Sequence, residues 1–104
     1  MDENIVVINL ISNESGLLTG RSNGKRARKI LNVRPADRYV LTSAQDLLVT
    51  SSYFLGLIGE ELSAFSSPND ALQHLDLSGL SPQSREECIK AVKRGLFSSS
   101  TGLI

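Results

Sequence analysis

The hydrophobic pattern changes period along the first half of the chain, and each change predicts a new element. The run 4–11 is rich in β-branched residues and has no polar interruption before Asn9, which is typical of a strand buried on both faces. A helix is predicted from Ser22 to Val33 and ends before Pro35. Its expected inward face consists of Ala27, Ile30 and Leu31.

The middle of the chain predicts a central strand followed by the main core helix. The strand covers 38–42, with a short extended piece at 47–49 after it. Ser51 or Ser52 is expected to cap the helix, which runs to about Phe65. Its apolar face is formed by Phe54, Ile58, Leu62 and Phe65. Tyr39 to Leu41 are therefore expected at the centre of the sheet, beneath this helix.

The last third predicts a turn at 67–70, a strand at 72–77 and a final helix. Ser81 and Pro82 supply a cap and a first turn for that helix, and Gly95 is placed to end it. The whole pattern predicts an α/β domain over residues 1–97, followed by a flexible polar tail at 98–104. The sheet is expected to be mixed, mostly parallel and four- to five-stranded, with about three helices.

Composition restricts the class of protein. The chain has 104 residues, of which 40% are hydrophobic and 21% charged, as in one ordinary globular domain. No apolar stretch reaches the roughly 18 residues of a membrane helix, so no membrane association is predicted. Cys88 is the single cysteine, which fits a reducing compartment and predicts a cytoplasmic location.

Charge is balanced overall but uneven along the chain. Eleven basic and eleven acidic residues cancel, yet seven of the bases lie between positions 21 and 38. The resulting basic patch consists of Arg21, Lys25, Arg28 and Lys29. Its ordinary interpretation is a solvated helix face, for which replacement of Lys25, Arg28 and Lys29 by Gln leaves stability nearly unchanged. The alternative is a nucleic-acid-binding face, although no aromatic residue lies among these cations to stack on bases.

Catalysis and metal binding have few candidates. Cys88 falls within a predicted helix, where burial as a small hydrophobic residue is expected. His74 and Asp76 are predicted to share one face of a strand, but one histidine without a second ligand does not make a zinc site. No catalytic residue, cofactor or metal site is predicted.

Three stretches together resemble the bacterial STAS-like domains. Arg21-Ser22-Asn23-Gly24-Lys25-Arg26-Ala27-Arg28 resembles the "Arg-Ser-x-Gly-x-x-x-Arg" helix start of that family. Tyr39-Val40-Leu41-Thr42, followed after eight residues by Ser51-Ser52-Tyr53-Phe54, resembles its strand, loop and Ser-Phe helix. Leu80-Ser81-Pro82-Gln83 resembles its closing element. Two positions depart from the pattern, with Thr42 where Asp is usual and Thr50-Ser51-Ser52-Tyr53 in place of Asp-Ser-Ser-Gly.

The resemblance implies a non-enzymatic regulatory module that binds another protein. The related anti-sigma-factor antagonists bind a kinase-like ATPase and are phosphorylated on a serine at the start of the second helix. It therefore implies a kinase-like ATPase as partner, and Ser51 or Ser52 as phosphoacceptor. The alternative function is a nucleic-acid-binding or phage-derived inhibitor module that uses the basic first helix.

The candidate partner-binding residues are Ser51, Ser52, Tyr53, Gly56 and Gly59, and each also has a simpler interpretation. The serines can be helix caps and nothing more. The two glycines, spaced along one helix stripe, indicate close approach by another backbone. That backbone can belong to the same chain, to a partner, or to a second copy in a homodimer.

Overall fold

The computed structural model describes residues 4–11 and 16–96, with the side chains of 95 and 96 excepted. The tail predicted at 98–104 lies outside the described residues. The strands are β1 (Ile5–Leu10), β2 (Leu17–Leu18), β3 (Arg38–Ser43), β4 (Leu48–Val49) and β5 (Leu75–Gly79). The helices are α1 (Arg21–Ile30), α2 (Ser51–Leu62), α3 (Pro68–Gln73) and α4 (Pro82–Lys90), and a π-helical segment, Ala91–Leu96, continues α4.

The described strands form two parallel sheets instead of the single larger sheet expected. β1, β3 and β5 make a three-stranded sheet in that order, and β2 pairs with β4 in a separate two-stranded one. The α/β class is confirmed, as is the central position of β3. The expected four- to five-stranded sheet is not found, because β2 and β4 are only two residues long and pair with each other.

The main sheet is buried on one face only. Val6, Ile8 and Leu10 of β1 point into the core, whereas Ile5 and Val7 are 45% and 63% exposed. The prediction that β1 is buried on both faces is therefore wrong for the described part of the chain, whose helices cover a single face. An apolar run in sequence does not distinguish a covered strand from one whose second face is open.

The core assembles around α2, as its apolar pattern predicted. Phe54, Ile58 and Leu62 are each 1% exposed and lie in one cluster with Tyr39 and Leu41 of β3. Burial of each of these large side chains contributes about 1.5–3 kcal/mol relative to exposure. The Tyr39 hydroxyl is also satisfied, since it donates to the Arg34 carbonyl at 2.9 Å and accepts from the Ala36 N–H.

Two predicted segments take a different form. Residues 68–73 form α3, so neither the turn at 67–70 nor the start of a strand at 72 is found. Ser67 caps this helix by accepting from the Asp70 N–H, and Pro68 occupies its first turn. On α1, Ile30 is expected on the inward face but is 75% exposed, and Gly24 is the residue of this helix that is buried.

The amino end of α4 holds the segment that leads into α2. The Ser84 hydroxyl accepts from the Val49 N–H and donates to the Leu47 carbonyl, both at 2.9 Å. Ser81 caps α4 as expected and also donates to the Leu47 carbonyl, at 3.0 Å. These buried hydrogen bonds fix β4 and, directly after it, the start of α2. Gly95 does not end this last helix, because the π-helical segment continues through it.

Among the described residues, no helix has the length and apolar character that crossing a membrane requires.

Candidate functional site

The candidate site lies where the amino ends of α1 and α2 meet. The two helices cross at Gly24 and Gly56, whose backbones touch. A Cβ added to Gly24 would lie 2.9 Å from the Leu57 nitrogen, and one added to Gly56 would lie 2.8 Å from the Lys25 nitrogen. Any side chain at the crossing would force the helices apart. Gly56 is therefore covered by α1 of the same chain, and the interpretation of Gly56 as an exposed partner surface or dimer seam is not supported.

Because the helices cross near their first turns, their starts share a small hydrogen-bond network. The Ser52 hydroxyl accepts from the Gly20 N–H at 3.3 Å and lies 3.1 Å from the Thr50 hydroxyl. Thr50 also contacts the hydroxyl of Thr19, at 3.2 Å. Gly20 has a φ of 95°, a left-handed conformation that glycine adopts without strain, and this turn aims its N–H at Ser52.

The cap of α2 is Thr50 and not one of the two serines. Thr50 has extended backbone angles and its side chain accepts from the Tyr53 N–H. Ser51 and Ser52 are the first two helical residues, and both are half-buried. The expectation that Ser51 or Ser52 provides the cap is therefore corrected by one or two positions.

A carboxylate already lies at the Ser51 end of this helix. Glu87 of α4 accepts from the Ser51 N–H at 2.8 Å, and its second oxygen pairs with Lys90 at 2.9 Å. The hydrogen bond from Lys90 holds the pKa of the Glu87 carboxyl below its ordinary value, and the Ser51 N–H lowers that pKa further. The backbone N–H of Ser51 is thus already paired with the Glu87 carboxylate, whereas the Ser52 hydroxyl points toward α1.

Tyr53 and Gly59 lie on two different grooves. Tyr53 is 6% exposed, and this burial raises the pKa of its hydroxyl. The Tyr53 side chain lines an apolar groove together with Ala27 and Ile30. Gly59 lines a separate groove of about 450 Å³ beside Arg21 and Lys25. The two residues therefore line different grooves.

The basic patch divides into exposed cations and one structural cation. Arg21, Lys25 and Lys29 are exposed. Arg28 instead forms a bidentate ion pair with Glu61, whose side chain is 3% exposed. The Nε of Arg28 also lies 3.9 Å from the Oε2 of Glu60. The hydrogen bond to Glu61 raises the pKa of Arg28. The prediction that Arg28 is an isolated surface charge is wrong.

Cys88 and His74, the residues considered for catalysis, make structural contacts. Cys88 is fully buried, and this burial raises its pKa to about 12, so the thiolate nucleophile is not available near neutral pH. His74 follows α3 and does not share a strand face with Asp76. Its ring stacks on Phe65 and contacts the Asp37 carbonyl at 2.6 Å. Among the described residues, no cluster of three or more His, Cys, Asp or Glu could hold a metal ion.

Sequence reasoning did not identify Thr19, Gly20, Thr50 or Glu87 as part of this site. Thr50 could have been found, because threonine directly before a helix is a common cap. Glu87 could not, since it contacts Ser51 from 36 residues away and no local pattern records that distance.

The chain matches no known family model, curated protein or solved structure. The resemblance to STAS-like domains stays a prediction from the sequence motifs.

Proposed function

We propose that this chain is a non-enzymatic regulatory module that binds another protein through the surface where α1 and α2 begin. Ser52 is the site at which phosphorylation controls the interaction. The partner class is that implied by the sequence resemblance, a kinase-like ATPase. Most of α2 is buried, so the contact surface is formed by Ser52 and by its exposed neighbours Thr19 and Arg21 on the α1 side.

The observation that carries this proposal is the position of the Ser52 hydroxyl at the junction of two helix starts. It already accepts one backbone N–H, from Gly20, and Arg21 follows directly in the chain. Helix starts favour anions because their N–H groups are unpaired and their dipoles are positive there. A phosphate adds about two negative charges and three acceptor oxygens, which such a position can stabilise.

Ser51 is the less favoured site of phosphorylation because the Glu87 carboxylate lies 2.8 Å from its backbone nitrogen. A phosphate on Ser51 would bring like charges together or displace Glu87 from its bonds to Ser51 and Lys90. This difference separates two adjacent serines that the sequence motif treats as equivalent.

The proposal is tested with Ser52→Asp, Ser52→Ala and Ser51→Asp. All three proteins are purified, their melting is compared, and each is used to capture proteins from the native host. We expect Ser52→Asp to fold and to change the captured set relative to Ser52→Ala. Intact-mass and peptide analysis of protein from the host should locate phosphate on Ser52. The proposal fails if Ser52→Asp retains every partner of wild type and host protein carries no phosphoserine.

The alternative function, a nucleic-acid-binding or phage-derived inhibitor module, is favoured by one observation. The exposed side chains of α1 include four cations, Arg21, Lys25, Arg26 and Lys29, and the helix contains no acidic residue. It is the less favoured of the two, because Arg28 is neutralised by Glu61 and the exposed Glu60 borders the same groove as Arg21 and Lys25.

A further inference from the structure

The outer edge of β1 has backbone hydrogen-bonding groups that no residue in the described part of the chain pairs with. β1 is an edge strand, with β3 as its neighbour on one side. The Asn4 carbonyl accepts from the Asp37 and Arg38 N–H groups of the neighbouring chain segment. Successive backbone groups of a strand point to alternate sides, so those of Val6, Ile8 and Leu10 also face β3. The N–H and C=O groups of Ile5, Val7 and Asn9 point outward, and no described residue pairs with them.

Within the residues that the structure describes, this edge lacks the features that normally prevent strand pairing. Exposed edges in natural proteins carry charged residues, proline or bulges, or are covered by another element. The stretch from Asn4 to Ser12 contains no charged residue and no proline, and the register of β1 with β3 runs without interruption. The exposed side chains beside the free groups are those of Ile5, Val7 and Asn9, and the first two are β-branched and suited to a paired strand.

We propose that β1 pairs with β1 of a second copy of this chain, antiparallel about a two-fold axis at Val7. In that register Val7 lies opposite Val7 of the other copy, and Ile5 lies opposite Asn9. The residues whose backbone groups point outward are then the ones that exchange hydrogen bonds. The result is a continuous six-stranded sheet formed by two three-stranded ones.

The distribution of charge argues for a second copy as the occupant. Two-fold pairing brings only the residues near the axis close to their own equivalents, so a charged residue there would meet a like charge. β1 has none. Among the described residues, the charged ones that contact the ends of β1 are Asp37 and Arg38, and both lie at its amino end. Antiparallel pairing places the amino end of β1 beside the uncharged carboxyl end of β1 in the other copy. The amino ends of the two copies are then about 20 Å apart, which is the length of a six-residue strand.

The proposal is tested by measuring mass in solution with sedimentation equilibrium over a range of concentrations. Wild type is expected to form a reversible dimer. Val7→Lys and Val7→Glu should each raise the dimer dissociation constant by at least about tenfold, equivalent to about 1.4 kcal/mol, because like charges meet at the axis. A mixture of the two variants should restore dimers, since Lys then faces Glu. Leu17→Lys is the matched control, because it places the same charge on an exposed apolar position of β2, in the separate two-stranded sheet, and should leave the dimer intact.

Each outcome bears directly on the proposal. A wild type that stays monomeric at every concentration overturns it, and so does a dimer that both Val7 variants leave unchanged. A variant that fails to fold is recognised by circular dichroism, and the other Val7 variant and the wild-type measurement then still test the proposal. Amide exchange gives the register: Ile5, Val7 and Asn9 should become protected as concentration rises. The proposal does not depend on Ser52, so its failure would leave the proposed function untouched.

Discussion

Glu61 is a carboxylate enclosed by the core, and Arg28 is the group that balances its charge. Removing one member of a buried pair leaves an unpaired charge and costs about 3–5 kcal/mol. Arg28 is itself 25% exposed, so water can replace part of its contribution. We expect Arg28→Gln to lower the free energy of unfolding by about 2–3 kcal/mol, measured by urea denaturation.

The matched controls for this change are on the same helix. Lys25→Gln and Lys29→Gln remove exposed charges and should alter stability by less than about 0.5 kcal/mol each. The double variant Arg28→Gln/Glu61→Gln should recover part of the loss, because neither charge is then left unpaired. An Arg28→Gln protein as stable as Lys29→Gln would show that the ion pair contributes nothing.

Glu87 makes stability depend on pH in a predictable direction. Its folded-state pKa is lowered, first by Lys90 and then by the Ser51 N–H. The stabilisation is complete above the unfolded-state pKa of about 4.3 and is lost as pH falls through the lower folded-state value. Glu87→Gln should therefore be less stable than wild type at pH 7, and the two stabilities should converge below about pH 4. Parallel urea titrations at several pH values measure this, and a gap that widens on acidification would contradict it.

The crossing of α1 and α2 sets the geometry of the site at the scale of elements. Gly24→Ala and Gly56→Ala should each destabilise the protein by about 2 kcal/mol or more, although alanine is the better helix former. The added methyl would press on backbone atoms, which cannot rotate away. Ser22→Ala, at an exposed position of α1, is the control and should be neutral or slightly stabilising. Thermal melting compares all three, and an unchanged Gly56→Ala would show that the helices separate without cost.

Elements with a strong local pattern could be predicted from the sequence, and contacts between distant elements could not. The periodicity of apolar residues predicts the apolar face of α2 and the position of β3. In the structure Phe54 is buried and β3 is the central strand of its sheet, as that pattern requires. Residues 68–73 form a helix where the pattern predicts a turn at 67–70 and a strand from 72, although Ser67-Pro68 is the same start signal as Ser81-Pro82. The pair Arg28–Glu61 spans 33 residues, so the sequence showed a basic stripe and not the acid that neutralises one part of it.

At the scale of the whole molecule, charge decides between the two proposed functions. The net charge is zero, so any attraction to nucleic acid would rest mainly on the cluster of cations in α1. Since Arg28 is paired with Glu61, the cations of α1 that can contact phosphates are Arg21, Lys25, Arg26 and Lys29. Four phosphate contacts give a logarithmic salt slope of about −3.6, so affinity falls roughly 100-fold between 50 and 200 mM salt.

We therefore expect no saturable binding to a labelled 20-base-pair duplex below about 100 μM protein at 0.15 M salt, the weak end of non-specific binding. Fluorescence anisotropy over a salt series measures this directly. Any binding at low salt should weaken in Lys25→Gln/Lys29→Gln, whereas Lys93→Gln/Arg94→Gln removes two cations elsewhere and should weaken it less. Micromolar binding that persists at 0.15 M salt, and that the first double variant alone removes, would favour nucleic-acid recognition over protein binding. A partner protein held at the junction of α1 and α2 should instead stay bound across the same salt series, because its contact does not rest on released counterions.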